Sequence, residues 1–153
     1  MECLVKKNDE NKNKNKNNKN NRKNISLYRN LFNLENGVHE LVFKDFQIKD
    51  SKIIIKNKMF RKNKSFVLFY APWCSHCKNF KREYENLALD YIQITSFGSV
   101  NIENVKDGND KLRIAANIEG IPTLKIVNHE GYLEDFNSAV NYDDLLYFIN
   151  MNL

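Results

Sequence analysis

Ser65-Phe66-Val67-Leu68-Phe69-Tyr70-Ala71-Pro72-Trp73-Cys74-Ser75-His76-Cys77-Lys78 is the stretch on which the fold turns. Ser65–Tyr70 is a continuous apolar run of the length expected for a central strand buried on both faces. Pro72 ends it. Residues 75–90 then place Phe80, Tyr84, Leu87 and Ala88 at helical spacing, with Lys78, Lys81, Arg82, Glu83 and Glu85 on the opposite face. A buried strand therefore runs within a few residues into an amphipathic helix, and a Cys-x-x-Cys pair sits at the junction.

Working outward, His39–Phe43 and Phe46–Ile48 read as short extended pieces, and Lys52–Ile55 as a strand after the Lys49-Asp50-Ser51 turn. Downstream, Val100–Ile102 reads as a strand and Asp110–Asn117 as a short helix. Thr123–Val127 and Gly131–Phe136 read as a hairpin, and Tyr142–Met151 as a closing amphipathic helix. This order gives an α/β fold, a central sheet flanked by helices on both faces. Ile25, Tyr28, Leu31 and Phe32 share one helical face, so residues 25–37 read as a short helix or linker, either packing on the domain or binding a partner. The compact domain spans 38–153.

The tail is of another kind. From Asn8 to Asn24 nearly every residue is Asn, Lys or Arg, with no apolar surface to offset the entropy of ordering, so residues 1–24 read as disordered. Eight basic and three acidic side chains there carry the whole net charge of +5, while residues 25–153 balance sixteen against sixteen. A nucleic-acid-reading domain would carry a basic face of its own, so no nucleic-acid partner is expected. Lys56, Lys58, Arg61, Lys62 and Lys64 form a local basic run that reads as a solvated loop.

With 153 residues, 42% of them apolar, and only 5 Gly and 2 Pro, the chain suits one globular domain. No apolar run approaches the ~20 residues of a membrane span. Three cysteines are too few for a disulfide-stapled secreted scaffold, and one is left over if two pair. Met1–Lys7 lacks the apolar stretch of a secretory signal, which points to the cytoplasm if the chain begins there. A signal missing upstream would point to the endoplasmic reticulum instead.

At the strand–helix junction, Cys74 faces unpaired amide hydrogens and the positive end of the helix dipole, which lower a thiol pKa. It reads as the exposed nucleophile. Cys77, one turn inward, is placed to attack a mixed disulfide on Cys74 and release the product. His76 adds partial positive charge. A metal half-site would need two more ligands, and the candidates Cys3, His39, His76 and His129 show no suitable spacing. His39 and His129 read as surface residues. Cys3 reads as a spare thiol in a mobile tail, with intermolecular disulfide formation as its alternative.

Phe69–Lys78 closely resembles the active-site segment of protein disulfide isomerase catalytic (a-type) domains in the thioredoxin superfamily, and Gly120-Ile121-Pro122-Thr123-Leu124-Lys125 resembles their second signature. The resemblance covers about residues 38–153 and implies a thioredoxin-like fold with a cis Ile121–Pro122 bond. It implies dithiol–disulfide exchange on protein thiol or disulfide substrates by Cys74 and Cys77, with Ser75 and His76 tuning the redox pair. Trp73, Ile121 and Pro122 are the implied substrate-docking residues. It implies no dissociable cofactor, no metal, a monomer, and a reductase or oxidase that recycles the pair. A cytosolic thioredoxin-like reductase and a non-catalytic interaction module stay open as alternatives. The chain departs from the family pattern at Leu68, where a buried acid usually stands, and at Ser99, where a lysine often pairs with it. Their joint loss is consistent, because a buried lysine without its acid is costly, and it implies a slower catalytic cycle. Arg82 stands where many relatives have a helix-kinking proline.

Overall fold

The computed structural model describes residues 3–5 and 29–153. Ser65–Tyr70 forms β5, and every residue of it is buried because both faces of the strand are covered. In chain order the strands are β1 (Cys3–Leu4), β2 (Val38–Glu40), β3 (Phe46–Lys49), β4 (Lys52–Ile55), β5, β6 (Phe97–Asn101), β7 (Gly120–Ile121), β8 (Thr123–Val127) and β9 (Leu133–Asp135). The helices are α1 (Ser75–Asp90), α2 (Asn109–Ala115) and α3 (Tyr142–Asn152).

The main sheet has the order β2-β6-β5-β8-β9. β2, β6 and β5 run parallel, with Phe66 opposite Phe97 and Leu68 opposite Ser99, while β8 pairs antiparallel with β5, and β9 antiparallel with β8. This is the thioredoxin-like mixed sheet flanked by helices that the residue pattern implies. Side chains alternate across it. Phe66 packs on Phe97 and on Phe148 of α3, and Tyr84 of α1 reaches Phe97, so α1 and α3 share one face. On the other face Gly98 leaves room for Leu41 and Phe60: a Cβ at that position would stand 2.7 Å from Leu41 Cδ1 and 3.1 Å from the Phe60 ring.

The helix α1 and the strands β4, β5 and β8 match their expected spans. The strand read as Val100–Ile102 instead starts at Phe97. Gly98 and Ser99 are poor local strand formers, and parallel pairing with β2 and β5 on either side supplies what propensity lacks. The hairpin turn after β8 is closed by Gly131, at φ 90°, whose amide donates to Asn128 O.

The segment before β2 belongs to the core. Of the helix expected over 25–32, residues 25–28 lie outside those described, and Arg29–Asn33 are not helical. The Leu31 amide instead donates to the Tyr70 hydroxyl, and Asn33 caps a single 3-10 turn, Leu34–Asn36. Phe32 is 3% exposed and sets its ring edge-on to Tyr70 and Tyr84. The disorder expected over Asn8–Asn24 also falls outside the described residues. Cys3–Leu4, however, forms β1, antiparallel to β7 with Cys3 opposite Ile121. Phe32→Ala should lower unfolding free energy by about 3–5 kcal/mol, read from the urea midpoint; a loss below about 1 kcal/mol would mean that this segment does not belong to the core.

Candidate functional site

β5 delivers the chain to a tight turn in which the Cys74 amide donates to Ala71 O at 3.1 Å. Cys74 is the N-cap of α1, with extended backbone (φ −77°, ψ 119°), and its carbonyl accepts from the Lys78 amide at 3.1 Å. The first amides of a helix have no intrahelical partner, so Cys74 stands at the positive end of the helix dipole, although its side chain makes no cap hydrogen bond to those amides. Opposite stands Ile121–Pro122, whose peptide bond is cis. Cys74 Sγ lies 3.7 Å from the Ile121 carbonyl oxygen.

Cys74 is fully buried, not exposed as its place in the sequence suggests. The cause is Cys3. It is no free thiol: it forms a disulfide with Cys74, and β1 lies along β7. The free cysteine is Cys77, which is buried, and burial pushes its thiol up to about 11 against the smaller opposing effect of nearby backbone groups. At neutral pH it is therefore a thiol. No local pattern reveals the partnership of Cys3, because 71 residues separate the two cysteines.

The other expected residues divide by position. Ile121 and Pro122 are buried beside Cys74. His76, half-buried on the first turn of α1, lines an open groove of about 440 Å³ with Asn79, Phe80, Glu83, Pro122 and Val140. Trp73 stays at the surface, where its Nε1 donates to Glu103 at 3.0 Å. Ser75 is exposed at the helix start.

Leu68 and Ser99 are both fully buried, but the sheet face beneath α1 does not lack an acid. Glu40 arrives from β2, in register with Ser99. Its carboxylate accepts from Ser99 Oγ at 2.6 Å, from the Tyr70 hydroxyl at 3.0 Å, and from the Asn101 amide at 3.2 Å. Burial raises the Glu40 carboxyl to about 7, although these three hydrogen bonds pull the other way. Burial and the Glu40 charge hold the Tyr70 hydroxyl well above its ordinary range, and a charge on Cys77 pushes it further. Glu40 escapes a reading of the sequence because only strand pairing brings it to Ser99.

A carboxyl raised on folding binds its proton more tightly in the native state than in the unfolded chain. Its contribution is fully present below the ordinary value of 4.5 and is lost as pH rises to about 7. Wild type should therefore lose up to about 3 kcal/mol relative to Glu40→Gln between those limits, at roughly 1.4 kcal/mol per pH unit, and no more above them. Urea unfolding of both proteins across this range measures it; parallel profiles would contradict it.

Comparison with known proteins agrees with this geometry. The family model described as Thioredoxin matches residues 47–151. Protein disulfide-isomerase 1 of Dictyostelium discoideum is 35% identical over 86 residues, covering 56% of this chain and 24% of that protein. Protein disulfide isomerase-like 2-1 of Oryza sativa subsp. japonica is 38% identical over 87 residues, covering 55% and 23%. The chain thus spans about a quarter of the length of these relatives. Among solved structures, the long form of thioredoxin f from spinach chloroplast superposes with a TM-score of 0.56 at 22% identity, covering 76% of this chain and 86% of that one. The first thioredoxin domain of mouse protein disulfide-isomerase A4 gives 0.50 at 21%, covering 69% and 78%. At such identities these two speak for the fold alone. With the strand–helix cysteine junction and the cis Ile121–Pro122 bond, the family match leads to one conclusion: the chain belongs to the thioredoxin family.

Proposed function

We propose that the chain is a thiol–disulfide oxidoreductase acting on protein substrates, with Cys74 as nucleophile and Cys77 as resolving cysteine. One observation carries this reading: Cys74 Sγ stands at the N-terminus of a 16-residue helix, beside a cis-proline loop whose backbone pairs with an extended, cysteine-bearing strand. The curated relatives are named as protein disulfide isomerases, which favours exchange on protein disulfides over a purely structural use of the pair.

The steps follow from the positions. Cys74, as thiolate, attacks one sulfur of a substrate disulfide; the substrate's second sulfur leaves with the electron pair and is protonated. Cys77 then loses its proton and attacks Cys74, the mixed disulfide breaks, and the substrate departs with two thiols while Cys74 and Cys77 hold the disulfide. Run in reverse, the same steps oxidise a dithiol substrate. A dithiol reductase or a disulfide oxidase resets the pair, according to direction. Backbone groups around Ile121 and Pro122 hold the substrate segment extended, Trp73 borders it, and Ser75 and His76 tune the helix start. Folding of disulfide proteins and redox homeostasis are the processes such an activity serves.

Trapping tests the proposal. Cys3→Ser combined with Cys77→Ser removes the two sulfurs that compete for Cys74, so incubation with a disulfide-bonded protein should give a covalent adduct on non-reducing gels. Dithiothreitol should dissolve it, and Cys74→Ser should form none. Absence of an adduct, or equal adduct from Cys74→Ser, would overturn the exchange reading and favour a non-catalytic module.

A further inference from the structure

We propose that Cys3 is a third redox-active cysteine of this centre: Cys3-Leu4-Val5 is a resident, substrate-like strand that closes the site until Cys77 displaces it. The inference rests on the exchange reading of Cys74 and goes beyond it, naming what occupies the site and which peptide pattern fits there.

Two sets of observations converge. The bond itself joins Cys3 to the cysteine at the start of α1 rather than joining Cys74 to its neighbour Cys77. Independently, the backbone around Cys3 is docked. β1 pairs antiparallel with β7, Cys3 opposite Ile121 and Leu4 opposite Gly120, and the ladder continues in the Val5 amide donating to Glu119 O at 3.0 Å. Adding a strand to an exposed edge is a general means of peptide capture: main-chain bonds give affinity and alternate side chains give selectivity. That alternation is present here. Cys3 and Val5 pack against the core, whereas Leu4 is 81% exposed. The edge therefore accepts an extended segment of the form cysteine, any residue, then an aliphatic side chain. A copy of that pattern on the same chain competes with outside substrate as an intramolecular partner.

Release is an internal exchange. Cys77 gives up its proton and attacks Cys74 Sγ; the Cys3–Cys74 bond breaks as the Cys74–Cys77 bond forms. Cys3 departs with the electron pair and takes up a proton. One disulfide replaces another, so no outside oxidant or reductant is consumed. The buried Cys77 thiol, with its pKa pushed to about 11, keeps this step slow at neutral pH and the closed form long-lived.

The test equilibrates the full chain in glutathione buffers, quenches with acid, blocks free thiols and maps the disulfides by mass spectrometry. The expected result is a Cys3–Cys74 linked peptide as a major species. Val5→Asp, which removes an apolar anchor without touching any sulfur, should lower the ratio of Cys3–Cys74 to Cys74–Cys77 at least about fivefold. Two results would overturn the proposal: Cys3 blocked as a free thiol while Cys74–Cys77 holds the disulfide, or a ratio that Val5→Asp leaves unchanged. Turnover of a protein disulfide by the unaltered chain, set against Cys74→Ser, reports separately on the exchange reading. Equal rates would sink that reading while the map still decides whether the strand docks through Cys3.

Discussion

The site depends on one junction, where a strand buried on both faces ends and the first turn of a helix begins. β5 cannot shift in the sheet without exposing Phe66–Tyr70, and α1 is held on the neighbouring β6 by Tyr84, whose hydroxyl donates to Gly98 O at 2.7 Å. Cys74 lies between these two constraints. Its position at the start of α1 is thus fixed by the core rather than by a mobile loop, the condition for keeping a sulfur in a favourable electrostatic field.

Beneath that junction the polar groups are redistributed. Leu68 and Ser99 are packed and uncharged on the face below α1, and the carboxyl enters from the sheet edge as Glu40, tied to β5 through Tyr70 and to β6 through Ser99 and Asn101. A carboxyl so placed is neutral over part of the range in which an exposed glutamate is ionised, so it can share the core with apolar side chains at a modest cost. The same network holds the segment before β2, since the Tyr70 hydroxyl accepts from the Leu31 amide and Phe32 packs on the Tyr70 ring. The polar cluster and the N-terminal edge of the core are one structural unit.

What could be read from the sequence was local. An apolar run marks β5, helical spacing of Phe80, Tyr84, Leu87 and Ala88 marks α1, and Gly-Ile-Pro-Thr marks the loop facing them, so the fold, the place of Cys74 at the strand–helix junction and the cis bond were all legible. What stayed hidden was made by pairing between distant segments. Phe97 and Gly98 enter β6 because strands lie on both sides of them, Glu40 meets Ser99 through parallel register, and Cys3 meets Cys74 through a two-residue strand. None of these has a periodicity. The exposure expected of Cys74 failed for the same reason, since a distant segment covers it.

The central claim is that the start of α1 activates Cys74. Its most direct test is the thiol titration of fully reduced Cys3→Ser, followed by thiolate absorbance near 240 nm and assigned by its loss in the Cys3→Ser, Cys74→Ser double variant. A Cys74 pKa below about 7.5 is the expected result, well under the ~8.5 of an unperturbed cysteine. A value at or above about 8.5 would mean that this junction holds the sulfur without activating it, and would contradict the claim.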